Sequence, residues 1–217
     1  MKTEYFKRYL FLCASLFIMS LGVAFSIKAD LGTSPISSVP YVISLITPIT
    51  VGMVTIIMHC VFILLQIIIL RKQYQLIQLM QLPAALIFGF MTDFSVWLIG
   101  GISYSTYLTQ WILCIVGIVL VAVGVSMEVV ANVVTLAGEG LVLAICKVLP
   151  VKFGNIKVCF DVTLVVIAVS IGFLARGQLL GAREGTIAAA LFVGLLSKQM
   201  NQPLTKVMDR LLKDSLE

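Results

Sequence analysis

The sequence predicts an all-α polytopic membrane protein with six transmembrane helices, arranged as two inverted three-helix repeats that each contain a half-length re-entrant or broken helix. Composition predicts the membrane class. Of the 217 residues, 60% are hydrophobic and 12% are charged, and the mean hydropathy is +1.12. Soluble domains carry about 25% charged residues, and a soluble core of this size cannot hide so much apolar surface. The surrounding solvent is therefore lipid.

Six apolar stretches are long enough to cross a bilayer, which takes about 20 residues. Two further apolar stretches, 35–47 and 136–149, are each only about 20 Å long at 1.5 Å per residue, against a hydrocarbon core of about 30 Å. The first long stretch follows basic residues as a signal peptide does, but it is too long for an h-region and predicts a retained helix. The crossings are predicted near 9–27, 52–70, 76–98, 108–129, 156–175 and 185–200.

The distribution of cationic residues predicts the orientation. Six crossings with both termini cytoplasmic place 12 of the 15 Lys and Arg inside, leaving only Lys28, Arg176 and Arg183 outside, as the positive-inside rule expects. If the two short segments also crossed, the bias would fall to ten against five. The stretch at about 203–217 has leucines and a valine at helical spacing with cationic residues between them, which predicts an amphipathic helix on the inner leaflet.

An internal repeat connects the two halves of a single membrane domain, 1–217. A shift of 102 residues aligns repeat one, about 9–98, with repeat two, about 111–200, and needs no gap across roughly 70 residues. Because each half has three crossings, the second copy is upside down relative to the first, an arrangement common in secondary transporters. The matches include Gly22 with Gly124, Ala29 with Ala131, Thr33 with Thr135, Pro48 with Pro150 and Gly52 with Gly154.

The two short segments follow polar breaks in the apolar pattern. In "SIKADLGTSP", Ser34 is a predicted N-cap and Pro35 the first residue of a helix that ends before Pro48. In the second half, Thr135 is the predicted cap of a helix that ends before Pro150. Short segments at corresponding positions of two halves are the best sequence indication of a transporter's binding site.

Candidate substrate-binding residues cluster at these breaks, because helix N-termini attract anions and freed carbonyls attract cations. Asp30 and Asn132 are repeat mates, and Glu139 is an acidic residue inside the second short helix, where acids indicate function. The alternatives are that Lys28 and Asp30 form a weak interfacial pair and that Glu128 lies near the inner headgroups. The predicted substrate-binding residues are Asp30, Thr33, Ser34, Asn132, Thr135 and Glu139.

His59 and Asp161 also align under the same shift. A pair of this kind near a pseudo-two-fold axis can relay protons, since histidine titrates near neutral pH. The two residues are therefore the candidates for proton or ion coupling. The alternative for His59 is a buried side chain bonded to a neighbouring helix carbonyl.

Other functional classes find no support in the sequence. The five cysteines have neither CxxC spacing nor a histidine partner, so they predict no metal site. Fingerprints of nucleotide-binding and hydrolytic enzymes are missing, so we expect no enzyme and no cofactor. No basic stretch is interleaved with aromatic residues, so we expect no nucleic-acid partner.

The segment "GVAFSIKADLGTSPISSVPY" resembles the YczE/YyaS/YitT-like family of bacterial integral membrane proteins. The shared A-x-L-G-x-S-P pattern consists of Ala29, Leu31, Gly32, Ser34 and Pro35. The resemblance implies a bacterial cytoplasmic (inner) membrane protein and supplies no substrate.

Three functions remain open from the sequence. The leading expectation is a transporter or permease for a small molecule or ion, embedded in the bilayer as a monomer or a homodimer. The first alternative is the substrate-binding membrane subunit of an energy-coupling-factor importer. Such subunits usually carry an A-x-x-x-A groove on the first helix, whereas here Ile18 follows Ala14 after four residues. The second alternative is a membrane scaffold or regulator that transports nothing.

Overall fold

A computed structural model describes residues 2–178 and 180–213, without the side chains of residues 2, 3 and 213. These residues form eight α-helices, with two short 3₁₀ turns, Arg71–Gln73 and Leu76–Met80, between the third and fourth. The helices are α1 (Lys2–Ala29), α2 (Pro35–Ile46), α3 (Val51–Leu70), α4 (Gln81–Leu98), α5 (Tyr107–Ala131), α6 (Ala137–Val148), α7 (Phe153–Arg176) and α8 (Glu184–Lys213).

Five of the predicted crossings are helices long and apolar enough to span a membrane. They lie in α1, α3, α4, α5 and α7, and their windows of highest hydropathy average between 1.4 and 2.7. The protein is therefore a multi-pass membrane protein. The prediction of five long apolar helices at these positions is confirmed.

The predicted sixth crossing and the predicted amphipathic helix form one continuous helix, α8. It continues through Pro203, and residues 214–217 lie outside the described part of the chain. α8 is not among the five apolar spans because its second half is polar. It nevertheless runs the height of the bundle: the Gly185 N–H donates to the Leu31 carbonyl (2.8 Å), and Lys7 Nζ donates to the Leu211 carbonyl (2.6 Å).

The two short helices occupy equivalent places in the two halves. α2 and α6 each have 12 residues, and their first and last residues differ by the same 102 positions. α1 ends at Ala29 and α5 ends at the aligned Ala131, and the next residues, Asp30 and Asn132, both have left-handed backbone (φ 55° and 49°). Asp and Asn tolerate this conformation better than other non-glycine residues do, so the same local chemistry ends both long helices.

The caps of the short helices differ from the prediction. Ser34 is the N-cap of α2 and Pro35 the first helical residue, but the Ser34 hydroxyl donates to Ser37 (3.1 Å) instead of capping the helix. The predicted Thr135 cap is wrong, because the N-cap of α6 is Leu136. A carboxylate from another helix bonds the start of α6, as described below.

The helices pack in two layers. One apolar core joins α1, α4, α5 and α8 through residues such as Leu16, Phe88 and Val121. A second core joins α2, α3, α6 and α7 through residues such as Val42 and Phe62. We call these groups the long-helix layer and the short-helix layer. Each layer contains a pair of helices from one half and the corresponding pair from the other.

At the centre of the long-helix layer, α1 and α5 pack closely and run antiparallel. Gly22 lies against Gly117 and Val121, and Gly124 lies against Met19, with no room for a Cβ atom at either glycine. Higher residue numbers on α1 therefore meet lower numbers on α5. The shift of 102 residues converts the contact of Met19 with Gly124 into the contact of Val121 with Gly22. The two contacts are therefore equivalent.

Candidate functional site

A cavity of about 440 Å³ lies between the two layers, in the usual size range of small-molecule sites. Its walls include Met19 and Val23 of α1, Phe88 of α4 and Val125 of α5. On the opposite side the walls are the first residues of α2 and α6, the middle of α3 and the first half of α7. Most of the wall is apolar, so each polar group on it matters for what can bind.

The starts of both short helices form part of the cavity wall. The N-cap residues Ser34 and Leu136 line it, and so do Ser37 of α2 and Glu139 of α6. Ile36 and Gly138, which align under the shift of 102 residues, lie in contact, so the two helix starts meet. Unpaired N–H groups at a helix start carry partial positive charge, which makes this part of the wall suited to polar ligands.

Glu128 is the most deeply buried acid of the cavity. It is 2% exposed, and its Oε1 accepts a hydrogen bond from the Leu136 N–H (2.6 Å). A carboxylate at this point satisfies an otherwise unpaired donor and interacts favourably with the helix dipole. The last turn of α5 therefore holds the start of α6 through the carboxyl group of one side chain.

Glu139 lies one turn into α6 and is half-buried. Among the residues that the structure describes, no donor bonds its carboxylate. Its charge interacts with those of Glu128, Lys157 and Asp161, so four ionisable groups surround one part of the cavity. Glu139 is the acid whose oxygens remain available to a ligand.

His59 and Asp161 both line the cavity, but the predicted pair between them is absent from the described part of the chain. Asp161 Oδ1 instead accepts from Lys157 Nζ at 2.5 Å, one turn earlier on α7. His59 is 1% exposed and packs beside Phe62 and Phe88, with ring centroids 6.1 Å away in each case. Within the part of the chain that the structure describes, its Nδ1 has no hydrogen-bond partner.

The four remaining predicted site residues do not line this cavity. Asp30 lies at the end of α1 farthest from the chain start, where its carboxylate accepts from the Tyr104 hydroxyl (3.2 Å) and lies 4.0 Å from the Arg183 guanidinium. Loss of solvation and the adjacent Asp30 carboxylate raise the pKa of Tyr104. Thr33 is fully buried, and its N–H donates to the Gly181 carbonyl (3.4 Å).

The corresponding residues of the second half lie toward the opposite end of the bundle. Asn132 is exposed at the end of α5, next to Ala131, whose carbonyl accepts from Arg8 (3.1 Å). Thr135 is half-buried. The polar breaks therefore separate to opposite ends, because α1 and α5 are antiparallel, and only the helix starts that follow them come together.

The predicted set leaves out five polar residues of the cavity wall, which are Ser37, Thr55, Glu128, Lys157 and Ser197. Lys157 had a recognisable signal, since it precedes Asp161 by four residues on one helix face. Glu128 was considered as a residue near the inner headgroups, but it is buried; its partner N–H is eight residues later, across a break, and no helical spacing indicates it. Ser37 is one of several serines in α2 and carries no distinguishing signal.

The fold and the cavity together define a class: a multi-pass helical membrane protein whose two helix layers enclose an acidic, largely apolar cavity. The protein-family model described as "Family of unknown function (DUF6198)" matches residues 6–202 of this chain. The chain therefore belongs to this family. No curated protein and no solved structure matches the chain.

Proposed function

We propose that the protein is a small-solute transporter whose two halves form an inverted-topology repeat. The antiparallel packing of α1 against α5 supports the inversion, since equivalent helices of inverted halves point in opposite directions. The matching limits of α2 and α6, and the equivalent contacts of Gly22 and Gly124, support the two-fold relation. The relationship to the YczE/YyaS/YitT-like family is part of the same proposal and is supported by the A-x-L-G-x-S-P pattern alone.

The cavity between the layers is the observation on which the transport proposal depends. It lies where the starts of two short helices meet, and its wall carries several ionisable groups. Ionisable groups inside a membrane protein are costly and mark solute or ion pathways. In transporters with inverted repeats, such sites lie at the interface of the repeats and are built from discontinuous helices.

We further propose that α8 is the sixth crossing and that both termini are cytoplasmic in a bacterial inner membrane. The antiparallel run of α8 along α1 supports the sixth crossing, and the excess of cationic residues supports the orientation. The cavity wall includes Phe153, Gly154 and Lys157 of α7 on one side and Ala190 and Gly194 of α8 on the other. In this orientation the cavity opens toward the cytoplasm between these two helices.

Accessibility of the cavity from both sides of the membrane tests the proposal. The Ser37→Cys substitution is made in a chain whose five native cysteines are replaced by alanine or serine, and the protein is reconstituted in one orientation. A membrane-impermeant maleimide is then added to one side at a time. A transporter exposes its site alternately, so we expect labelling from both sides.

Two exposed positions serve as controls for sidedness. Asp209→Cys, near the end of α8, should be labelled only from the cytoplasmic side, and Tyr104→Cys, before α5, only from the opposite side. Labelling of Ser37→Cys from the cytoplasmic side alone contradicts transport and favours the scaffold alternative.

A further inference from the structure

We propose that the cavity binds a monovalent organic ammonium ion with an apolar body and releases a carboxyl proton as the cation enters. This inference rests on the proposed transport function and names the class of solute. It also assigns the two unpaired features of the cavity wall, the Glu139 carboxylate and the His59 Nδ1, to one ligand.

The charges on the wall favour a cation. The ionisable groups that face the cavity are His59 of α3, Glu128 of α5, Glu139 of α6, and Lys157 and Asp161 of α7, while α1, α2, α4 and α8 contribute none among the described residues. Lys157 and Asp161 compensate each other through their ion pair. Within the described residues neither Glu128 nor Glu139 forms an ion pair. The wall therefore has two more acids than lysines, and a ligand with one positive charge balances the site better than an anion.

The apolar part of the wall favours an organic cation over an inorganic one. Ca²⁺ and Mg²⁺ require about six oxygen ligands, and no group of three His, Cys, Asp or Glu side chains converges as a metal site within the described residues. Phe88, Val125 and Val193 instead supply apolar surface around a volume of about 440 Å³. An aromatic or branched aliphatic body fills such a space and gains from leaving water.

The His59 side chain is the independent observation that points to a ligand. A buried polar atom without a partner costs free energy, and native proteins rarely leave one unpaired. Within the described residues Nδ1 is buried and has no hydrogen-bond partner, and because the ring lines the cavity, rotation of the imidazole about its Cβ–Cγ bond turns Nδ1 toward a ligand there. When its hydrogen is on Nε2, Nδ1 accepts a hydrogen bond. A primary ammonium group has three N–H donors, enough to reach both His59 and Glu139.

Electroneutrality determines the proton balance. With the cavity empty, a proton on one of the two neighbouring acids relieves their mutual repulsion. When the ammonium ion binds, it replaces that proton as the positive charge, and the proton leaves to water on the side where the cavity is open. One cation enters for one proton released, so the net charge of the cavity is unchanged.

Isothermal titration calorimetry on the purified full chain tests this inference with three matched probes. The probes are 2-phenylethylammonium, the neutral 2-phenylethanol and the anionic 3-phenylpropionate. We expect the ammonium probe to bind at least tenfold more tightly than the other two. We also expect its apparent enthalpy to change with the ionisation enthalpy of the buffer by the amount that corresponds to one released proton.

Two isosteric variants connect the binding to the cavity. Glu139→Gln should weaken binding of 2-phenylethylammonium at least tenfold and abolish the proton release, while its elution volume in size-exclusion chromatography stays that of the native chain. Asp209→Asn removes the same charge from an exposed position near the end of α8 and should bind like the native protein.

The outcomes separate this inference from the proposed function. Equal binding of the neutral probe, tighter binding of the anion, or unchanged affinity in Glu139→Gln overturns the cation proposal, and so does binding of none of the probes. None of these results affects two-sided labelling of Ser37→Cys. Conversely, specific cation binding with labelling from one side only supports the site and contradicts transport.

Discussion

The two halves of the protein differ most at one pair of equivalent interfaces. In the first half, α3 packs along α4, whereas in the second half α7 makes almost no contact with α8. We call these the first seam (α3 with α4) and the second seam (α7 with α8). Both helices of the second seam line the cavity, so its position results from an interface that only one half forms.

Two aligned glycines show the difference at atomic scale. At Gly52 an added Cβ atom meets the Gly89 carbonyl and the Asp93 carboxylate. At Gly154 no described atom beyond the adjoining residues and the backbone of its own helix lies within 4 Å of such a Cβ. Asp93 closes the first seam because its carboxylate accepts from the Thr50 hydroxyl (2.6 Å) and from the Gly52 N–H (2.7 Å). The second half lacks this chemistry, since the shift of 102 residues places Leu195 at the position of Asp93.

Two halves with aligned sequences thus enclose a cavity that is bordered by a packed seam on one side and an unpacked seam on the other. The two layers are joined along the first seam and separate along the second. If the halves exchange conformations, the second seam closes while the first opens, and the cavity becomes accessible from the other side. This exchange is the mechanism that our proposed function requires of the two seams.

The largest expected effect concerns the opposite orientation of the two halves. A reporter that is active only in the periplasm should give a strong signal when fused after Pro48 and no signal after the aligned Pro150. Fusions after residue 104 and after residue 72 should give a strong signal and no signal, respectively. Equal signals at Pro48 and Pro150 would contradict the inverted repeat.

The next largest effect is a difference in stability between alanine substitutions at the two seams. Gly52→Ala should lower the free energy of unfolding by about 3 kcal/mol, the upper end of the range for overpacking, because the new Cβ meets a backbone oxygen. Gly154→Ala, at the aligned position, has free space and should change stability by less than about 1 kcal/mol, toward stabilisation. Unfolding in mixed detergent micelles measures both; similar losses would mean that the seams are equally packed.

The smallest effect concerns the carboxylate that closes the first seam. Asp93→Asn keeps the shape of the side chain but replaces the carboxylate that accepts from the Thr50 hydroxyl and the Gly52 N–H with a neutral amide. Since hydrogen bonds to charged groups contribute about 1.5–3 kcal/mol and the amide oxygen still accepts, we expect a loss of about 1–2 kcal/mol. Asp209→Asn, an exposed control, should stay within about 0.5 kcal/mol of the native chain. A loss as small as that of the control would show that Asp93 does not hold the seam.

The backbone plan was predictable to a large extent because it depends on local properties. Apolar length located five crossings, and the polar breaks near Asp30 and Asn132 located the ends of α1 and α5. Turn chemistry placed the start of α2 at Pro35. Thr135 is not the cap, and the carboxyl group of Glu128 in α5 instead accepts from the Leu136 N–H at the N-cap of α6. Local residue preferences cannot predict such a partner, because it is positioned by tertiary packing.

The cavity was predictable only in part. Ser34, Glu139, His59 and Asp161 line it, but Asp161 pairs with Lys157 on its own helix, where a lysine four residues away is always within reach. Asp30 and Asn132 were predicted to share the substrate-binding site as repeat mates. The antiparallel packing of α1 and α5 instead places them at opposite ends of the bundle.

The sequence by itself determined the membrane class, the long helices, the two short helices and the 102-residue correspondence between them. These features follow from hydrophobic length and from residue preferences that act over a few positions. Only the tertiary structure decided that the helix starts meet, that Glu128 bonds the start of α6, and that the second seam stays open. Those features depend on which side chains face each other across helices, and two halves with aligned sequences pack differently where Asp93 in one is Leu195 in the other.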